Sequence, residues 1–193
     1  MRTLTVNEFL SLDGVMQAPG SAEEDTDGGF RHGGWQRPYF DEVLGASAAK
    51  GMASTGAYLF GRRTYEIMAR HWPTAPADDP FAAHLNSTAK YVASTTLREV
   101  AWQHSSLLQG DVPTAVARLK EQPGGAIAVL GSGTLVQTLM QHDLVDEYSL
   151  TVSPLVIGSG TKLFRDAEQV RRLRLVDCTP TTTGSVMLTY RPA

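Results

Sequence analysis

Short, wholly apolar runs alternate with amphipathic stretches along this sequence, and that alternation limits the folds open to it. Residues 57–60 and 126–130 carry almost only apolar side chains, and apolar residues at helical spacing follow each run. Strands that are apolar on both faces are typical of parallel sheets covered by helices. The pattern therefore predicts an α/β fold with a largely parallel sheet covered on both faces.

Six further segments are predicted as strands and four as helices. The strands are 3–12, 90–94, 107–108, 147–154, 172–178 and 185–191, and the helices start at Pro38, Arg62, Val112 and Leu135. The proline-rich residues 71–80 are predicted as a loop. A turn at Thr183 and Gly184 makes the last two strands an antiparallel hairpin at the sheet edge. We expect about eight strands in one domain, residues 1–193, with Cys178 buried in a strand.

A long polar, glycine-rich segment separates the first strand from the first helix. Residues 15–34 hold four closely spaced carboxylates and offer little to build a core with: Glu23, Glu24, Asp25 and Asp27. Loops of about 20 residues are uncommon in compact domains and are often lids or binding loops. Two interpretations are open, a lid over a binding site and an ordinary surface loop.

Composition excludes several classes of protein. The 193 residues carry 17 basic and 20 acidic side chains, a net charge of −3, which argues against nucleic acid as the main partner. A single cysteine excludes an internal disulfide framework and a CxxC site. The five histidines lack metal-ligand spacing, so we expect no metal site. No signal peptide and no membrane-spanning apolar run is visible, and we expect a cytoplasmic protein.

The first candidate binding motif is the turn Gly61-Arg62-Arg63-Thr64, directly after the strand at 57–60. A helix N-terminus offers free backbone N–H groups and a partial positive charge, which favour an anion. Gly61 would let a phosphate approach the backbone, and two guanidinium groups would supply forked donors. The alternative is a plain turn from strand to helix with two solvated arginines.

The second candidate is the turn Gly131-Ser132-Gly133-Thr134, between the strand at 126–130 and the helix from Leu135. Val136 stands where the dinucleotide fingerprint needs its third glycine, and no Walker ending is present, so this is a generic phosphate-type turn. Ligands of open α/β sheets bind at the carboxyl ends of strands. Two such turns at that edge together predict a nucleotide cofactor.

An ordered set of motifs along nearly the whole chain resembles a known family. They are Ser11–Gly14 (SLDG), 60–66 (FGRRTYE), 90–95 (KYVAST), 129–135 (VLGSGTL), Asp146-Glu147, Pro154 and 158–164 (GSGTKLF). The set resembles the dihydrofolate reductase-like superfamily, and more closely the stand-alone proteins related to the reductase domain of riboflavin biosynthesis. The resemblance implies a three-layer αβα fold, binding of NADPH and a possible homodimer.

The resemblance also implies where a cofactor would bind. Its residues would be Gly14, Gly61, Arg62, Arg63, Thr64, Ser94, Thr95, Leu130, Gly131, Ser132, Gly133, Thr134 and Leu135. Ser94 and Thr95 match the place that contacts the adenosine end. Members often carry an arginine beside that serine, where this chain has threonines, so Arg62, Arg63 or Arg98 would have to meet the 2′-phosphate.

On the substrate side, Asp13 at the end of the first strand is predicted as a catalytic residue that orients substrate or handles a proton, and the alternative is a plain turn residue before Gly14. Trp35, Asp41 and Tyr65 are predicted as substrate contacts. Phe40 stands where dihydrofolate reductases carry their acid. The predicted function is an NADPH-dependent reductase of a small heteroaromatic, pteridine- or pyrimidine-like compound. Two alternatives are a 5-amino-6-(5-phosphoribosylamino)uracil reductase of riboflavin biosynthesis and a non-catalytic nucleotide- or ligand-binding module.

Overall fold

A computed structural model describes residues 1–76, 78–165 and 170–193. Its strands are β1 (Leu4–Ser11), β2 (Thr55–Gly61), β3 (Lys90–Ala93), β4 (Ser105–Leu107), β5 (Ala126–Leu130), β6 (Glu147–Ser153), β7 (Leu173–Pro180) and β8 (Val186–Pro192). They form one sheet in the order β4-β3-β2-β5-β1-β6-β8-β7. All pairs from β4 to β6 are parallel, whereas β8 runs antiparallel to both β6 and β7. The predicted mixed, mostly parallel sheet with an antiparallel C-terminal hairpin is confirmed.

The helices are α1 (Glu42–Ser54), α2 (Arg62–His71), α3 (Pro80–Ser87), α4 (Val112–Glu121) and α5 (Gly133–Gln141). Helix α3 was not expected, because the prolines of residues 71–80 indicate a loop. Pro80 instead takes the first position of the helix, where a missing N–H is harmless. The Asp79 carboxylate caps it by accepting from the backbone N–H groups of Phe81 and Ala82.

Side chains alternate between the two faces of the sheet and produce two cores. On one face Val6, Leu59 and Val129 pack with residues of α4 and α5. On the other face Tyr58 and Phe60 pack with residues of α2 and α3. The sheet is therefore the middle of three layers, as the sequence resemblance implies.

Three further local predictions were wrong. Leu12 lies beyond the end of β1 and is 63% exposed. Cys178 is exposed because β7 is an edge strand. Pro38 belongs to a short 3-10 turn, Arg37–Tyr39, and α1 begins only after Asp41 caps it.

The segment 15–34 also contributes more to the core than expected. Val15, Ala18 and Phe30 form a third buried cluster with Trp35. Among the described residues, no helix is long and apolar enough to cross a membrane, and no group of three metal-ligating side chains comes together.

Candidate functional site

The sheet contains one place where the chain diverges in opposite directions from two neighbouring strands. Strands β2 and β5 are adjacent, but α2 leads from β2 to β3 on one side while α5 leads from β5 to β6 on the other. The two helices also lie on opposite faces of the sheet. Such a divergence opens a crevice at the carboxyl ends of the strands, and α/β proteins bind ligands there.

Helices α2 and α5 begin differently from the other helices. Aspartate side chains cap α1, α3 and α4, where Asp41, Asp79 and Asp111 accept hydrogen bonds from first-turn N–H groups. The N-cap residues of α2 and α5 are Gly61 and Ser132, and neither makes a side-chain cap. The two helices that flank the crevice therefore keep free N–H donors, which suit an anionic ligand.

The two predicted glycine turns contact each other directly. The Gly61 N–H donates a hydrogen bond of 2.8 Å to Ser132 Oγ. Gly131 has a φ of +60°, and a Cβ there would lie 3.0 Å from the Thr64 side chain. Ser132 has a φ of +67°, a left-handed conformation that is strained for a residue other than glycine. The structure thus brings Gly61, Thr64, Gly131 and Ser132 together into one narrow turn pair.

The segment 15–34 reaches this turn pair through Met16. A Cβ on Gly133 would lie 3.0 Å from Met16 Sδ and 3.5 Å from an Arg165 guanidinium nitrogen. Glycine at position 133 therefore leaves room for side chains from outside the turn. Because the methionine thioether is flexible and adaptable, Met16 can yield that room to another group.

The acidic residues of segment 15–34 bind the arginine that the sequence assigns to phosphate. Arg63 Nη2 lies 2.6 Å from Asp25 Oδ1, and Arg63 Nη1 pairs with Asp27. The hydrogen bond from Arg63 lowers the pKa of Asp27. A cavity of about 530 Å³ lies here, lined by residues 23–28 and by α2 side chains that include Arg62 and Arg70. Two carboxylates thus stand where a phosphate group is predicted.

Gln17, which sequence reasoning did not select, holds this acidic segment in place. Its side chain is buried, accepts a hydrogen bond of 3.0 Å from the Thr161 N–H and donates one of 3.0 Å to the Asp27 carbonyl. Arg62, by contrast, pairs only with Glu66 one turn along α2, at 3.3 Å, and both side chains are about half exposed. Arg62 is therefore easily released to a ligand.

Asp13 joins the end of β1 to the loop after β6. Its carboxylate accepts from Ser11 Oγ at 2.7 Å and from the backbone N–H groups of Ile157 and Gly158 at 3.0 and 2.9 Å. These donors, the serine hydroxyl first, lower the pKa of Asp13 to about 2. A carboxylate with this pKa stays ionised near neutral pH and is not a proton donor there. The predicted roles of Asp13 in substrate orientation and proton handling stay predictions.

The three residues predicted to contact substrate lie apart from one another, and each forms a hydrogen bond with another part of the protein. Trp35 is buried, and its Nε1 donates to the Gln17 carbonyl at 2.8 Å. Tyr65 is buried on the other face of the sheet, where its hydroxyl accepts from the Trp102 N–H. Asp41 caps α1 and also accepts from Thr182. Their roles as substrate contacts stay predictions.

Other predicted cofactor residues lie along the same sheet edge. Ser94 follows β3, whose last residue, Ala93, pairs with Gly61, and its hydroxyl accepts from the Leu97 N–H at 3.0 Å. Gly14 has a φ of +82°, which the tight turn after β1 requires. The remaining positions either sit in the cores or face solvent beside the turns: Thr95, Leu130, Thr134 and Leu135.

Glu8 is the residue of this region that sequence reasoning missed. It lies on β1 in phase with Leu4, Val6 and Leu10, so its side chain points to a core face, and only 8% of it is exposed. Its Oε1 is buried with no hydrogen-bond partner in the described part of the chain. Burial, and secondarily the nearby Glu24, raises its pKa well above the usual value. The sequence offered one indication of this burial, because Glu8 alternates in phase with the apolar residues of its strand.

Comparison with known proteins yields consistent matches. The sequence profile of the RibD C-terminal domain matches residues 2–187. The uncharacterized protein YyaP of Bacillus subtilis (strain 168) is 30% identical over 137 residues, 68% of this chain and 71% of YyaP. A putative riboflavin biosynthesis protein from Shewanella sp. PV-4 superposes with a TM-score of 0.70 at 20% identity, covering 99% of both chains. Dihydrofolate reductase from Enterococcus faecalis, complexed with NADP(H), superposes with a TM-score of 0.62 at 14% identity, covering 98% of this chain and 96% of that one.

Proposed function

The chain belongs to the RibD C-terminal domain family, and from that premise we propose that it is an NADPH-dependent reductase of a small heteroaromatic compound. The proposal concerns both the cofactor and the class of substrate, a pteridine- or pyrimidine-like ring. Its support comes from the geometry of the crevice between β2 and β5, together with the NADP(H) complex of the dihydrofolate reductase that shares the fold.

One observation carries the cofactor assignment, namely the two uncapped helix N-termini at the crevice. Every other α-helix among the described residues has an aspartate cap, whereas α2 and α5 present free N–H groups side by side. A pyrophosphate carries two adjacent anionic groups, one for each helix N-terminus. The narrow turn pair at Gly61 and Gly131 leaves the backbone accessible, so the residues present fit a dinucleotide.

Each group of the site then has a defined task. Gly61, Gly131 and Gly133 allow phosphate oxygens to reach backbone N–H groups, and Arg62 or Arg63 meets the 2′-phosphate. Met16 and segment 15–34 cover the crevice and exclude water. NADPH, when bound, supplies the hydride, and the protein supplies placement and electrostatics.

A titration with NADPH tests the cofactor assignment. We expect quenching of tryptophan fluorescence and a rise in the melting temperature, Tm, because a ligand at about 100 times its Kd stabilises a protein by about 2.7 kcal/mol. NADH, which lacks the 2′-phosphate, should bind at least about tenfold more weakly. Unchanged fluorescence and Tm at millimolar NADPH would reject the proposal.

A matched pair of variants assigns the binding to the turn. In Gly133→Val the branched side chain occupies the space beside the N–H groups of α5, and NADPH affinity should fall at least about tenfold. Gly51→Val is the control, since Gly51 lies inside α1 in an ordinary helical conformation, with open space where a side chain would extend. Equal NADPH affinity in the two variants would move the site elsewhere.

The class of substrate is tested by turnover. NADPH oxidation is followed with dihydropteridines, with 5-amino-6-(5-phosphoribosylamino)uracil and with simpler pyrimidines. Turnover of the phosphoribosyl compound alone would favour the riboflavin-pathway alternative. NADPH binding without turnover of any compound in the panel would favour a non-catalytic binding module.

A further inference from the structure

We propose that Glu8 is the proton donor of this site, delivering a proton to the ring nitrogen of a C=N bond that is being reduced. The inference rests on the proposed reductase function and extends it in two ways. It names a catalytic residue on β1, and it narrows the substrate to a heterocycle with an imine-type C=N bond whose nitrogen can accept a hydrogen bond.

The position of Glu8 is set by strand register. Asn7 pairs with Leu130, the last residue of β5, so Glu8 is the first residue of β1 beyond the end of β5. It faces the side of the sheet where α5 packs, since Val6 belongs to the same cluster as Leu135 and Val136. Glu8 therefore lies beside the Gly131–Gly133 turn, at the carboxyl edge where the crevice opens.

The burial of Glu8 lacks any structural compensation in the described residues. Within residues 1–76, 78–165 and 170–193, no ion pair or hydrogen bond holds its carboxyl group, and its Oε1 is fully buried without a partner. Lys90, which is also buried, shows the usual arrangement, because its Nζ donates to the Leu85 and Thr88 carbonyls at 2.6 and 2.7 Å. A buried polar group without a partner lowers stability, so its presence at a ligand crevice points to a role in binding or chemistry.

Four other carboxylates near the crevice are engaged within the described part of the chain. Asp13 accepts three hydrogen bonds, and Asp25 and Asp27 both pair with Arg63. Glu24 accepts from the Gly20 N–H at 2.6 Å. Glu8 alone of this group is both unengaged and, through its raised pKa, kept in the protonated form that can donate.

The step balances without any further reagent. Reduction of the C=N bond adds a hydride from the reduced nicotinamide cofactor to carbon. The π-electron pair of that bond takes the Glu8 proton, so the carboxyl O–H bond breaks as a new N–H bond forms. The Glu8 carboxylate then regains a proton from water, and the products are the C–N single-bonded ring and the oxidised cofactor.

One described charged group, Glu24, acts on Glu8, and a second, Arg165, lies at the neighbouring turn. Glu24, on segment 15–34, opposes its ionisation. Arg165 borders the Gly133 turn from the loop after β6. When segment 15–34 covers the crevice, the Glu24 carboxylate helps to keep Glu8 protonated until a proton acceptor arrives.

A thermal comparison tests the first half of the proposal without cofactor. Glu8→Met removes an unpartnered polar group and should raise Tm by about 2–4 °C. The control is Gln17→Met, the same kind of change at a buried side chain whose polar atoms are all bonded, and it should lower Tm. A fall in Tm for Glu8→Met would show that Glu8 has structural partners and would overturn the proposal.

Turnover with a C=N substrate tests the second half. Glu8→Gln should leave the Kd for NADPH within about twofold and reduce kcat by 10²-fold or more. Wild-type kcat should fall as pH rises through the raised pKa of Glu8, and this decrease in kcat with pH should be absent in Glu8→Gln. If wild-type chain does not bind NADPH, the proposed function fails and the Glu8 role with it. If NADPH binds but Glu8→Gln keeps its kcat, the Glu8 role alone is rejected.

Discussion

The backbone N–H of Gly61 and the hydroxyl oxygen of Ser132 are 2.8 Å apart and join two turns that are 71 residues apart in sequence. Gly61 ends β2 and Ser132 precedes α5, so this one hydrogen bond links the two sides of the crevice. The helices that follow the two turns, α2 and α5, both begin without a side-chain cap. The bond thus couples the geometry of the two turns that are proposed to bind the cofactor.

Substitutions of Ser132 should separate the hydrogen bond from the strained backbone. Ser132→Ala loses the bond to Gly61 and keeps the left-handed φ, so the free energy of unfolding should fall by about 1 kcal/mol. Ser132→Gly also loses the bond but relieves strain worth roughly 1 kcal/mol, and should be close to wild type in stability. Both should weaken NADPH binding several-fold. Denaturant unfolding and NADPH titration check this, and equal stability of the two variants would contradict it.

The ion pairs of Arg63 should compete with the cofactor. In the double variant Asp25→Asn, Asp27→Asn the guanidinium is released and two negative charges near the phosphate site are removed. Since exposed ion pairs are worth only about 0–1 kcal/mol, the Kd for NADPH should fall by roughly 3- to 10-fold. Isothermal titration calorimetry measures the change.

Glu23→Gln provides the control for charge alone, because Glu23 is exposed in the same segment and forms no ion pair among the described contacts. It should change the Kd for NADPH by less than about twofold. If the double variant binds NADPH more weakly than wild type, the acidic segment is part of the binding site rather than its competitor.

Most of the sheet could be predicted from sequence because its strands carry local signals. The run at 126–130 matches β5 to the residue, and the turn at Gly184 correctly separates β7 from β8. Helix α3 was missed because proline is common both in loops and at the first position of a helix, so Pro80 does not distinguish the two. Cys178 was misplaced because the hairpin pattern does not show which of its two strands, β7 or β8, is the outermost one.

The site was only partly predictable, for a different reason. Glycine turns after strands are visible as short motifs, so both turns that meet at the crevice could be located, whereas anion binding there stays a prediction. The contacts between Arg63 and Asp25 or between Asp13 and Ile157 depend on how distant segments pack, and no local pattern encodes them. The sequence marks Glu8 as unusual only because it alternates in phase with apolar residues of β1. That its carboxyl group lacks a hydrogen-bond partner among the described residues can be seen only in the folded chain.

Trp35 should prove to be a structural anchor of segment 15–34. Trp35→Phe removes the hydrogen bond from Nε1 to the Gln17 carbonyl within a buried cluster, and should lower the free energy of unfolding by about 2 kcal/mol. Because the indole is buried, KM for substrate should change less than about threefold once NADPH is saturating. A large rise in KM with unchanged stability would instead support the predicted substrate contact.

Asp13 should make stability depend on pH in the acid range. Its folded pKa of about 2 lies below the unfolded value of about 3.9, so the ionised form is favoured in the folded state. This stabilisation is fully present above the unfolded pKa and is lost as pH falls through the folded pKa. Asp13→Asn, which cannot ionise, should therefore have a lower Tm than wild type at pH 7, with the gap narrowing below about pH 4 and closing near pH 2. Thermal melts of both proteins across this range measure the gap, and a gap that is constant with pH would show that Ser11, Ile157 and Gly158 do not hold the ionised form.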